Sequence, residues 1–226
     1  KGIISIYSVI CEVFSGATIP IPFFPEFLKK IAYILPFRYI CDLPFRLYSG
    51  DIMYIQDKEN YKFTDTGLKL RGTELTLDDT DTPTFVGIRQ SEFHTELSVK
   101  VSGEAKEAGV TFYMDESQHY DLAVIKDDTG KKVVLSIRIG DAKSVNGEVV
   151  LSTDCKQAEL FIVSEPEAYH FYCVVGGEKK LLGSARSKYL SSEVAGGFTG
   201  VLMGMYAVDD EGNWAEFTEL CWKQGK

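Results

Sequence analysis

Two acidic runs are the first candidates for chemistry. Asp78, Asp79 and Asp81 crowd together, and Asp209, Asp210 and Glu211 are consecutive. Clustered carboxylates hold hard cations, and a carboxyl pair does acid–base work when its two pKa values are pushed apart. Both runs sit among turn-forming, polar neighbours, which favours solvated loops, and the first lacks the ligand spacing of an EF-hand loop. His94, His119 and His170 are far apart, without HExxH spacing, each in an alternating segment. That is the setting of a surface or strand histidine rather than a metal ligand. The cysteines at 11, 41, 155, 173 and 221 are odd in number and show no CxxC spacing. They suit a reducing compartment or buried apolar thiols better than a disulfide framework or a zinc site. No Asn-x-Ser/Thr acceptor, Walker-type loop or Gly-x-Ser-x-Gly elbow occurs. No metal or cofactor is expected.

The stretch Ser191 to Tyr206 carries a different kind of chemistry. Glycines at 196, 197, 200 and 204 punctuate Phe198, Val201, Leu202, Met203, Met205 and Tyr206. So many glycines mark a bend, or a place where a backbone or ligand comes close. Its first half reads as a loop presenting Phe198, its second half as a strand buried on both faces. The Gly200–Gly204 spacing also occurs in paired membrane helices, but this apolar run is far shorter than the roughly 20 residues of a span.

The elements that must position this loop follow from composition. A chain of 226 residues, 45% hydrophobic and 25% charged, is ordinary for globular protein and holds one large or two small domains. A net charge of −9 argues against nucleic acid, which demands clustered Lys and Arg. The charge is uneven. Residues 1–56 carry Lys1, Lys29, Lys30, Arg38 and Arg46 against Glu12, Glu26, Asp42 and Asp51, a balance of +1 that leaves −10 for residues 57–226. The sequence predicts an apolar helical segment over 1–56, a polar linker over 57–61 and a β-domain over 62–226.

In the first segment, Glu12 is the one charged residue between Ile3 and Phe24, and Pro20 and Pro22 shorten the helical part. A basic amino-terminal region and a small-residue cleavage site, the marks of a signal peptide, are missing. Pro25 to Leu35 reads as a short amphipathic helix, with Phe27, Leu28, Ile31, Ile34 and Leu35 at helical spacing and Pro36 closing it. The run FSGATIPIPFFPEFLKKIAYILPFRYICDLPFRLYSG resembles the carboxy-terminal membrane region of permease subunits of type 2 ABC exporters. That resemblance implies a transporter fragment, with membrane contact through residues 3–24. The alternative is an apolar helical hairpin packing on the second domain.

Beyond residue 57 the periodicity becomes two. Phe93 to Val101 alternates apolar and polar, as a strand with one wet face requires. Further strands are predicted at 84–89, 110–114, 120–126, 132–138, 158–163, 169–175, 201–208 and 216–222. Turn signals stand at Asp127–Gly130, Asn146-Gly147, Gly176-Gly177 and Asp210–Asn213. Many short strands with little helical periodicity predict a mostly β fold, an antiparallel two-sheet β-sandwich.

The blocks LKLRG (68–72), PTFVGIRQ (83–90), EAGVTFYMDESQHYDLAV (107–124) and SSEVAGGFTGVLMGMYA (191–207) resemble, in order, the carboxy-terminal concanavalin-A-like domain of β-xylosidases in glycoside hydrolase family 43. The resemblance implies a jelly-roll sandwich packed on a five-bladed propeller that carries the hydrolytic carboxylates. It implies action on xylo-oligosaccharides or arabinose-substituted ones, in a cytoplasmic or secreted enzyme, with the cytoplasm the location expected for this sandwich. It also implies that an aromatic on a sandwich loop closes the sugar pocket, a role that falls on Phe198, flanked by Gly197 and Thr199. An aromatic face suits that role because sugar C–H groups stack on it and water is excluded; the alternative is Phe198 as ordinary core. Glycoside hydrolysis needs two carboxyls at a set separation facing one sugar. The propeller that would supply them has no counterpart in this sequence, so the chain is expected not to hydrolyse alone. A rival expectation is a carbohydrate-binding module using exposed aromatics such as Tyr113, Tyr120 or Trp214.

Overall fold

Alternating side chains in the second segment sort onto two faces, and two sheets result. The computed structural model describes residues 59–196 and 200–224. Its strands are β1 (Tyr61–Thr64), β2 (Gly67–Arg71), β3 (Phe85–Arg89), β4 (Thr95–Gly103), β5 (Glu107–Asp115), β6 (Gln118–Asp127), β7 (Gly130–Ile139), β8 (Ala142–Val150), β9 (Gln157–Ser164), β10 (Ala168–Val175), β11 (Glu178–Arg186), β12 (Leu202–Val208) and β13 (Trp214–Gln224). A 3-10 turn (Ser187–Leu190) and a one-turn helix α1 (Ser192–Ala195) join β11 towards β12. The order β1-β2-β13-β4-β9-β10-β11 makes a seven-stranded sheet, and β3-β12-β5-β6-β7-β8 a six-stranded one. All ladder pairings are antiparallel.

The predicted sandwich is therefore present. The amino-terminal helical segment predicted over residues 1–56 lies outside the described residues, and nothing observed supports it. Among the described residues no helix is long and apolar enough to cross a membrane.

The core is the slab between the sheets. Leu70, Val99, Leu160, Ile162, Phe171 and Phe217 come from the seven-stranded sheet, and Val110, Phe112, Tyr120, Leu122 and Leu135 from the six-stranded one, each almost fully buried. Aromatic rings bridge the slab: Phe112 meets Tyr169 at 4.4 Å between centroids, and Tyr120 meets Phe171 edge-on at 6.3 Å. Because side chains alternate along a strand, Tyr120 and Leu122 pointing inward places His119, Asp121 and Ala123 on the outer face of the six-stranded sheet. That face is also covered. The connection from β2 to β3, residues 72–84, crosses it and packs Leu77 into a second apolar cluster with Phe85, Ala123 and Tyr206.

Four strands escaped the sequence reading: β1, β2, β8 and β11. Two of them, β8 and β11, end their respective sheets and carry mostly exposed side chains, so no apolar period marks them. Asn146-Gly147 was expected to be a turn. It instead lies inside β8, where the register slips opposite Leu135 and Ser136 and leaves Asn146 as the extra residue of a bulge. Gly147 is needed there because a Cβ would strike the Leu182 carbonyl of β11, so the two sheet edges approach backbone to backbone.

Candidate functional site

At one end of the sandwich, β3, β10, the 3-10 turn, α1 and the start of β12 enclose a cleft of about 520 Å3, lined among others by Gln90, Phe93, Tyr169, Leu190, Glu193 and Gly200. Phe198, Gly197 and Thr199, the residues expected to form the site, lie outside the described residues. Their flanks are described. Gly196 ends α1 at φ 79°, and Gly200 opens β12 at φ 68°, both conformations that favour glycine.

The wall beneath is held by a polar chain. The Tyr169 hydroxyl donates to Gln90 Oε1 at 2.9 Å, and Gln90 Nε2 donates to the Glu92 carbonyl at 3.0 Å and to Ser164 Oγ at 3.2 Å. Ser164 Oγ in turn donates to the Phe93 carbonyl at 2.7 Å and accepts the Thr95 amide at 3.1 Å. Every member of this chain has its partner, as a buried network needs. Burial pushes the Tyr169 hydroxyl pKa well above its ordinary value, so Tyr169 is a fixed donor. Phe93 stands 69% exposed above the wall. On the other lip, the Ser191 hydroxyl beside Glu193 holds that carboxyl below the usual range.

Sequence reasoning missed Gln90, Ser164 and Tyr169, although Gln90 closes the block PTFVGIRQ. A polar chain drawn from the residue after β3, from β9 and from β10 has no local signal, since three separate stretches supply it.

The acidic residues have other work. Asp78 was expected in a solvated loop; instead it is the latch of the 72–84 connection. His119, fully buried, faces Asp121 Oδ2 at 2.8 Å through Nδ1 and Asp78 Oδ1 at 3.1 Å through Nε2. Lys143 bonds the other Asp78 oxygen, and Thr111 Oγ1 donates to Asp121 Oδ1 at 2.7 Å. Burial alone would favour neutral imidazole; the Asp121 carboxylate and then Asp78 outweigh it, and hold the His119 pKa above its usual value. His119 is thus a strand histidine, as expected, but a buried rather than a surface one, and no group of residues suited to hold a metal occurs among the described residues. Asp79 accepts the Thr76 amide at 2.7 Å and the Thr76 hydroxyl at 2.8 Å, a local turn. Asp209 is 3% exposed rather than solvated and accepts the amides of Lys106, Glu211 and Asn213, each at 2.9 Å. It ties the β4–β5 turn to the β12–β13 turn.

A carboxyl with a raised pKa does occur, at Glu107, where desolvation dominates. It accepts the Tyr206 hydroxyl at 2.5 Å and does not line the cleft. The arrangement therefore suits binding and shaping of a ligand or partner at the cleft. The aromatics considered for a binding module are engaged elsewhere: Tyr120 is fully buried, with its hydroxyl on the Arg186 carbonyl at 2.8 Å. Tyr113 stacks on His119, and Trp214 lies under the Lys62 ammonium, 4.6 Å from its ring centroid.

Known proteins share this architecture. Residues 54–223 match the family described as the β-xylosidase carboxy-terminal concanavalin-A-like domain. A non-reducing end α-L-arabinofuranosidase of Bacteroides ovatus is 36% identical over 150 residues, 62% of this chain and 27% of that protein. The solved Bacteroides ovatus xyloglucan PUL GH43B superposes with a TM-score of 0.69 at 26% identity, over 75% of this chain and 35% of that one. A xylan β-1,4-xylosidase from Bacillus halodurans superposes at 0.66 with 24% identity over the same shares, a likeness of fold. The chain thus spans only about a third or less of the proteins it resembles. Its cleft-ended, two-sheet sandwich belongs to the family of β-xylosidase carboxy-terminal concanavalin-A-like domains.

Proposed function

We propose that this domain is the accessory sandwich of a family 43 glycoside hydrolase, docking on a catalytic propeller and closing its sugar pocket with Phe198. The propeller supplies the acid and the base; the sandwich supplies an aromatic lid, and Gly197 and Thr199 give that lid its shape. The substrate class is that of the relatives, arabinofuranosides or β-1,4-xylosides.

The observation that carries this reading is the cleft. Its lining includes Glu193 and Gly200, which flank Phe198 in sequence, its wall is closely hydrogen-bonded, and Gly196 and Gly200 both stand at positive φ. Glycine at either end of a connecting segment lets it turn towards a partner without disturbing the core. The two Bacteroides ovatus relatives are about three to four times as long as the stretch they share with this chain, which leaves room for the propeller.

The test is reconstitution. A family 43 propeller produced without its own sandwich is mixed with this chain and assayed on aryl arabinofuranosides and aryl xylosides. The reading expects co-elution of the two and a rise in hydrolysis. Absence of both at saturating chain refutes it.

A further inference from the structure

Three of the four arginines among the described residues face an oxygen. Arg71 Nε donates to the Gly212 carbonyl at 3.2 Å, Arg138 Nε lies 3.9 Å from Asp78 Oδ1, and Arg186 Nη1 lies 3.6 Å from Glu167 Oε2. Arg89 is the exception. It is half-buried, its Nε is shielded from water without an acceptor, and no hydrogen bond or ion pair joins it to another described residue. A polar group taken out of water without a partner is costly, and a native fold that tolerates one has a reason to keep it.

The place of Arg89 supplies that reason. It ends β3, which is itself the end strand of the six-stranded sheet. Phe85, Gly87 and Arg89 share one side of the strand, and Phe85 belongs to the outer apolar cluster, so the arginine stands on the outer face. Leu202 of β12 is its register partner and Tyr113 of β5 comes next in the row; both are partly buried against that cluster. A Cβ on Gly200 would lie 2.6 Å from Arg89 Nη1, which puts the guanidinium beside the residue that follows the 197–199 segment. The carboxylates that line the neighbouring cleft, Glu92, Glu165 and Glu193, make no ion pair with it. The charge is permanent, and its planar fork of donors suits a carboxylate taken two-handed. Next to Leu202, a pair formed there is screened less than in open water. Arginine framed by apolar surface is a recurrent centre of binding energy between proteins.

We propose that Arg89 is a docking anchor, whose guanidinium receives a carboxylate side chain of the catalytic propeller when the two assemble. The inference rests on the reading of this chain as a propeller's accessory sandwich and adds the chemistry of the contact. The relatives are named for arabinofuranosides and β-1,4-xylosides, which are neutral sugars, so the carboxylate is assigned to the protein partner. Docking then pairs a group that the separate sandwich leaves unpaired.

The test uses the full 226-residue chain and the propeller of the 36%-identical Bacteroides ovatus arabinofuranosidase, produced without its own sandwich. Calorimetry at low and at physiological salt compares the parent with R89M, R89K and K179A. R89M keeps the apolar stem and deletes the charge, and it is expected to weaken binding about tenfold or more. R89K, which keeps the charge without the fork, is expected to fall between R89M and the parent. K179A removes a positive charge from the other sheet and is expected to bind as the parent does. Added salt should weaken the parent more than R89M. The separate R89M chain should unfold at the parent's temperature or above, because no ion pair within the chain is lost. A parent chain that fails to bind overturns the functional reading, and the anchor with it. A parent that binds, with R89M binding equally well, overturns the anchor alone. So does an equal loss in R89M and K179A, which would reduce Arg89 to general charge, or a marked drop in the unfolding temperature of R89M, which would assign Arg89 to the fold.

Discussion

The two sheets are treated differently on their outer sides. The outer face of the six-stranded sheet is sealed by the 72–84 connection and organised by buried charge: His119 between Asp121 and Asp78, with Lys143 ending the chain at Asp78. The outer face of the seven-stranded sheet, which no connection among the described residues crosses, is organised by long cations lying over rings or beside carboxylates. Lys179 sits 4.4 Å from the Phe161 ring centroid and 4.6 Å from that of Tyr172, and Lys69 and Lys100 reach Glu216 and Glu219 at 3.5 and 2.6 Å. The lesson is one of cost. A buried charge network is severely penalised when one member is lost, whereas surface pairs of the same residue types contribute little.

The largest expected effect follows from His119. H119L leaves Asp121 facing an apolar side chain and strips Asp78 of a partner, and a loss of about 3 kcal/mol in unfolding free energy is expected from urea titration. A loss within error of zero would show that the sealed face is not held by this network. G204A comes next. Its Cβ would lie 2.7 Å from the Val86 carbonyl and collide with the Phe85 ring, and overpacking of this kind costs about 2 kcal/mol.

A smaller effect is tied to pH. Because the His119 pKa is raised on folding, the charged imidazolium stabilises the fold fully below the ordinary histidine value, and the contribution is lost as pH rises through the folded value. On the acid side, burial works against the Asp78 carboxylate, but Lys143 and then His119 hold its pKa down, so its contribution is lost as pH falls through that lowered value. Stability measured from acid to mildly alkaline pH should decline on both sides in the parent, and the alkaline decline should vanish in H119L. The smallest effect belongs to the open face: K179A should cost below about 1 kcal/mol, as exposed cation–π contacts do. A larger loss there than for H119L would invert the comparison.

Much of the sandwich was legible in residues such as Thr95–Gly103, whose buried and half-exposed side chains alternate in step with the sequence. The edge strands were not, because β8 carries no apolar face to read and its Asn-Gly pair imitates a turn. The fate of Asp78 and His119 was hidden for another reason. They are 41 positions apart, and only the crossing of the 72–84 connection over β6 makes them neighbours. Burial of Asp209 was hidden likewise, since its amide partners come from two turns, one of them 103 residues away. The cleft wall drew on Gln90, Ser164 and Tyr169 from three separate stretches, whereas Gly196 and Gly200, both at positive φ, stood out singly in the sequence.

The role proposed for Phe198 is tested most directly by kinetics of the reconstituted propeller with the parent chain and with F198A. The account predicts that F198A still co-elutes with the propeller while kcat/KM falls about tenfold or more, because the docked sandwich no longer closes the pocket. An F198A complex as active as the parent complex would contradict it.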